Sequence, residues 1–183
     1  LIQISISFII SLFTVFLFRY LIDKKTFTSL GLSLKNNLSH GMAGFFLGIF
    51  LLGVGSFLLI ANNNLQWTNI HFDAKELFIG FGIMFIVAFA EELAFRGYIL
   101  NNLMQSMNKW VALAITALVF AIFHLGNPGI TIIAFLNVFL AGMVLGINYI
   151  FTTNLWFSIL FHCSWNVYQG SVLGYQVSGI HLY

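Results

Sequence analysis

The chain has 183 residues, 60% of them hydrophobic and 17% aromatic, with only 7% charged and a mean hydropathy of +0.98. That composition lies outside the range of soluble domains and belongs in lipid. A formal net charge of +2 with no basic block leaves no footprint for nucleic acid, and the single cysteine, Cys163, excludes an intrachain disulfide.

A helix needs about 20 mainly apolar residues to cross a bilayer. Residues 1–22 meet that requirement and lack the basic start and small-residue cleavage site of a signal peptide. Because the chain begins with Leu1 rather than methionine, we expect a piece of something longer. The connection "DKKTFTSLGLSLKN" at 23–36 holds Lys24, Lys25 and Lys35, so the positive-inside bias assigns it to the cytoplasmic side. Residues 40–61 form a second span, and 62–76 then face outward with Trp67 at the interface. From Glu76 the chain stays apolar only through Ala90, too short to cross alone. Ile99, Leu100, Leu103, Met104 and Met107 nevertheless continue at helical spacing, which predicts one long helix over 76–106 with its charges in mid-course. Residues 110–126, 130–151 and 153–170 read as three further spans, with "GNPG" at 126–129 a strong turn signal. Gly142 and Gly146, four apart, allow another helix to approach closely. His40, His71 and His181 fall at span ends or in connections and read as interfacial. The expectation is an all-α, polytopic transmembrane bundle of about six membrane helices. It forms a single domain over 1–183, with N-terminal helices in 1–61 and a core over about 76–170, multi-pass in the cell membrane.

Three stretches with a polar residue in an i, i+4 pair stand inside these apolar runs. In "IVAFAEELAFRGYIL", residues 86–100, Glu92 and Arg96 are four apart and share a helix face, so they can pair. Glu91 points about 100° away and has no local counterion. An unpaired acid in a membrane helix marks a functional site by default, and a carboxylate so placed is a candidate proton acceptor. The same spacing puts Phe120 with His124 and His162 with Asn166. If the long helix turns back near residue 107, Glu91 and His124 both lie about 25 Å beyond the turn and meet at one height. His162 falls about 15 Å away in depth. Helix tilt or a sunken "GNPG" turn must close that gap. Gathered together, these groups could hydrolyse an amide: the carboxylate takes a proton from water, His124 orients that water, and His162 with Asn166 donate to the developing oxyanion.

The stretches Glu91-Glu92-x-x-x-Arg96, Phe120-x-x-x-His124 and His162-x-x-x-Asn166, in this order on successive helices, resemble the CPBP family. This group, also called Abi, comprises CAAX prenyl proteases and bacteriocin-processing or immunity proteins. The likeness covers residues 76–170, and "SLGL" at 29–32 is similar to the family's lead-in. It implies an intramembrane endopeptidase in which Glu91 activates water with His124. His162 and Asn166 would form the oxyanion site, and Glu92 and Arg96 would brace helix and site. The partners implied are membrane lipid and a peptide or lipidated protein substrate.

Other readings stand beside this one. Glu91, His124 and His162 could form a two-histidine, one-carboxylate zinc site, although the HExxH spacing of many zinc peptidases is absent; the family resemblance favours chemistry without a metal. Phe120 reads as packing that shapes a cavity, and His162 with Asn166 could simply join helices. A proton-coupled transporter and a non-catalytic membrane partner of the immunity type are the alternative functions. Richness in Lys, Ile, Asn and Phe leans toward a low-GC bacterium, and with it toward peptide maturation or bacteriocin processing.

Overall fold

The computed structural model describes residues 2–34, 37–67, 73–175 and 177. His71 and His181 lie outside them, whereas His40 is exposed in the first turn of a helix and Trp67 is half exposed. The described residues are helical, without a β-strand. Six helices follow in order: α1 Ile2–Leu21, α2 Leu38–Ala61, α3 Ala74–Ser106, α4 Lys109–Phe123, α5 Ile132–Thr152 and α6 Leu155–Val167. Four helical stretches, Leu38–Ala61, Ala74–Ser106, Lys109–Gly126 and Ile132–Thr152, are long and apolar enough to cross a membrane.

The predicted long helix is α3, and at 33 residues it runs about 50 Å. Asp73 starts it by accepting hydrogen bonds from the backbone N–H groups of Lys75 and Glu76 at 2.7 and 3.2 Å. Between Leu93 and Leu100 it winds as a π-helix, a feature that periodicity does not announce and that often accompanies functional sites. α6 differs from the expected span at 153–170. It has 13 α-helical residues, followed by a π-helical turn at Tyr168–Val172, and is not among the four long apolar stretches. Leu155, Ser158, Ile159, Phe161, His162, Cys163, Ser164 and Asn166 are all buried in it, so α6 is a central pillar sheathed by the other helices.

Small residues allow that sheathing. Gly41, Gly44 and Gly48 of α2 are buried against α6, and a Cβ on Gly44 would run into the backbone carbonyl of Phe157. On the other side, a Cβ on Gly142 of α5 would stand 3.1 Å from Ala117 of α4, the close approach that the spacing of Gly142 and Gly146 predicts.

The depth mismatch of His162 is closed at the N-terminus of α6, not at the "GNPG" turn. Leu155 is fully buried, and its Cδ1 would lie 3.0 Å from a Cβ on Gly97 in α3, far inside the bundle. From that shared level, Glu91 is six residues back along α3 and His162 seven residues forward along α6, about 10 Å in each case. The recess is filled by the "SLGL" segment, which begins in a 3₁₀ turn at Phe27–Leu30 and continues past it. Leu30 is fully buried. The carbonyls of Leu30, Gly31 and Leu32 accept hydrogen bonds at 3.1 Å from the Tyr149 hydroxyl, the Leu155 N–H and the Trp156 indole N–H respectively. Non-helical backbone at this depth is tolerated because its polar groups are paired within the protein. Asn154 caps α6 by accepting from the Trp156 N–H at 2.8 Å.

The ends of α1, α3 and α5 gather with the starts of α2, α4 and α6 at one end of the bundle. Lys25 donates to Gln105 at 3.2 Å there, and Arg19 pairs with Asp23 at 2.9 Å.

Candidate active site

The charged triplet of α3 meets α4, α5 and α6 just before and within the π-helical stretch. Glu92 is fully buried, and its Oε1 accepts from Arg96 Nη1 at 2.8 Å, the pair that the spacing predicts. The same oxygen also accepts from His162 Nδ1 at 2.9 Å. Arg96, itself only 1% exposed, spreads its guanidinium over three partners. Nη1 holds Glu92, Nη2 donates to the Gly142 carbonyl of α5 at 3.2 Å, and Cζ lies 4.4 Å from the centre of the Phe120 ring in α4. One buried cation thus ties four helices together, since its carboxylate partner also grips α6.

His124 terminates α4, where the helix tightens into a 3₁₀ turn at His124–Gly126. Its Nδ1 lies 2.8 Å from the Phe120 carbonyl. A carbonyl only accepts, so Nδ1 carries the proton and Nε2 faces the site. The rings of Phe120 and His124 are 4.5 Å apart, and those of Phe120 and His162 6.2 Å. Phe120 therefore spaces the two imidazoles as well as seating Arg96.

Glu91 lies between those imidazoles. Its Oε2 is 3.9 Å from His124 Nε2 and 3.9 Å from His162 Nε2. That is too long for a direct hydrogen bond and is a separation that one bridging water spans. The oxygen itself is buried and has no hydrogen-bond partner, although the Glu91 side chain as a whole is 28% exposed. Asn166, one turn beyond His162, is also buried. A cavity of about 640 Å³ opens beside these residues; His124, His162, Asn166 and Phe120 belong to its wall, and among the described residues no Asp, Glu, Lys or Arg does. Glu91 is not in that wall, so the two imidazoles are what the cavity and the carboxylate share.

The structure brings all seven predicted residues, Glu91, Glu92, Arg96, Phe120, His124, His162 and Asn166, to this one region. Three contacts were not read from the sequence: Glu92 with His162, Arg96 with the Gly142 carbonyl, and Arg96 over Phe120. The first two cross from α3 to helices far along the chain and leave no trace in local spacing.

As a zinc site the arrangement is too open. Ligand atoms at about 2.1 Å in a tetrahedral array stand about 3.4 Å from one another, whereas Glu91 Oε2 is 3.9 Å from each imidazole nitrogen. Among the described residues, no group of three His, Cys, Asp or Glu side chains is placed to hold a metal ion. The set Glu91, His124 and His162 does not fit zinc as it stands.

A bundle with four helices long and apolar enough to cross a membrane, closed around a buried polar cluster, defines the class as an integral membrane protein. A family profile described as Rce1-like, type II CAAX prenyl endopeptidase, matches residues 73–168, 96 of the 183. The chain belongs to this family, a family of membrane proteases. The match starts at the Asp73 cap of α3 and ends just past Asn166, so it contains every residue of the site. No curated protein and no solved structure matches the chain.

Proposed function

We propose that this protein cleaves a peptide bond of a membrane-associated peptide or lipidated protein, and that Glu91 is the base that activates the attacking water. The observation that carries this reading is the position of Glu91 Oε2, unpartnered and equally distant from two imidazole nitrogens. A water held there gives one hydrogen to Glu91 and the other to His124 Nε2, whose lone pair is free because Nδ1–H is committed to the Phe120 carbonyl. As water attacks the carbonyl carbon, its proton passes to Glu91, which returns it to the leaving amine when the carbon–nitrogen bond breaks. Negative charge on the carbonyl oxygen is met by Asn166 and by His162, which in this scheme is an imidazolium whose Nδ1–H donates to Glu92 and whose Nε2–H donates to the oxyanion. Glu92, Arg96 and Phe120 hold the imidazoles in place, and Glu92 and Arg96 lie outside the cavity wall. No metal takes part in this scheme.

The same reading puts the protein in the cell membrane. Its substrate is a prenylated tail or a bacterial peptide precursor such as a bacteriocin leader. Reconstituted protein offered a panel of both kinds tests this: wild type cleaves members of the panel and Asn166→Ala cleaves them about 10²- to 10³-fold more slowly, the usual loss for one oxyanion donor. Undiminished cleavage by Asn166→Ala contradicts the assigned role. A wild type that cleaves nothing while retaining its binding to a membrane partner supports a non-catalytic protein instead.

A further inference from the structure

α5 carries two asparagines in an otherwise apolar, membrane-length helix. Asn148 is satisfied, its Oδ1 accepting from the Thr152 hydroxyl at 3.0 Å. Asn137 is exposed, and among the described residues its side chain makes no hydrogen bond. A bare carboxamide facing hydrocarbon is costly. Asn137 avoids that by lining the 640 Å³ cavity, on a stripe with Ala134, Val138 and Ala141, in the same enclosure as His162 and Asn166. Asn127, just past His124, lines the same cavity; its backbone N–H donates to the His124 carbonyl at 3.0 Å, while its side chain makes no hydrogen bond among the described residues.

The chemistry of this wall narrows what it binds. Among the described residues it holds no Asp, Glu, Lys or Arg side chain, so it is not built around a fixed ion pair. A carboxamide presents a donor and an acceptor side by side, the pattern that a peptide main chain presents in return. The surrounding surface is apolar and suits uncharged side chains, and the volume suits a ligand of a few residues.

We propose that Asn137 is a substrate-binding residue that pairs with the main chain of the entering peptide, with Asn127 as a second contact of the same kind. The inference rests on the hydrolase reading for the identity of what enters. It assigns register to the main chain: cleavage position is fixed by pairing to the peptide backbone, and side chains near the scissile bond are restricted only to uncharged ones.

The test separates binding from turnover. The full chain carrying Glu91→Gln, reconstituted in nanodiscs, is titrated into a fluorescent S-farnesylated peptide with a cysteine-aliphatic-aliphatic-methionine tail, and affinity is read by anisotropy. Adding Asn137→Leu weakens binding about five- to ten-fold, the worth of one net hydrogen bond, and Asn137→Gln recovers part of it. Replacing each tail amide in turn by an ester finds one position whose penalty is present with Asn137 and absent with Leu. Unchanged thermal unfolding of the Asn137 variants shows that they fold. Affinity indifferent to residue 137, ester penalties identical in the two backgrounds, or no binding by the Glu91→Gln protein overturns the proposal. If Glu91→Gln cleaves the peptide as wild type does, the role of Glu91 falls while the ester pattern still decides that of Asn137.

Discussion

His162 and Glu92, 70 residues apart in the chain, stand 2.9 Å from each other through Nδ1 and Oε1, with Glu92 fully buried. The carboxylate that looks from local spacing like a private partner of Arg96 is the junction between that arginine and one of the two imidazoles. The brace of α3 and the orientation of the site are therefore one structure, and damage to either partner reaches both.

Arg96→Ala leaves Glu92 buried with only His162 as a partner, and losing one member of a buried ion pair costs about 3–5 kcal/mol. Thermal unfolding in detergent should fall accordingly. Arg96→Lys should not restore it, because a single ammonium cannot fork between Glu92 and the Gly142 carbonyl while lying flat on Phe120. Full rescue by lysine would show that charge alone matters.

Close packing of α2 on α6 predicts a contrast between two glycines of one helix. Gly44→Ala forces a methyl group into the Phe157 backbone and should destabilise by about 1–3 kcal/mol. Gly55 has nothing within 4 Å of its would-be Cβ, so Gly55→Ala should be neutral or stabilising by up to about 1 kcal/mol. Equal effects in chemical denaturation would mean that the glycines do not set the helix spacing.

Gly31 is held at φ 99°, where only glycine is at ease, and a Cβ there would meet the Thr153 carbonyl. Gly31→Ala should lift the buried segment away from the start of α6. His162 would then sit at the wrong depth, so peptide cleavage should fall more than stability does. Normal cleavage by a folded Gly31→Ala protein would detach the recess from the site.

The openness of the Glu91, His124 and His162 set toward zinc predicts that a strong chelator leaves peptide cleavage unchanged. Loss of activity on chelation, with recovery on adding zinc, would show that the site closes around a metal in use.

Much of this was legible in the sequence because membrane helices write themselves in runs of apolar residues and because pairs four apart must share a face. Glu92 with Arg96, Phe120 with His124, and the continuity of α3 through its charges all follow from that periodicity. The depth of His162 did not, since it depends on a recessed turn at 152–155 sealed by "SLGL", a long-range fit to which neither segment alone points. α6 was read as an ordinary span for a related reason. Apolarity marks a span facing lipid and a pillar buried in protein alike, and only packing tells them apart. The π-helical stretch after Glu92 and the Arg96–Gly142 contact lie beyond any local pattern.

The account turns on Glu91 as the base, and Glu91→Gln tests it most directly because the amide keeps the shape of the side chain and removes its ability to take a proton. The measurement is single-turnover cleavage of a peptide that the wild type cuts, by wild type and Glu91→Gln in the same reconstituted membranes. A fall of at least about 10²-fold with unchanged thermal unfolding is the predicted result. Cleavage within a few-fold of wild type would contradict it.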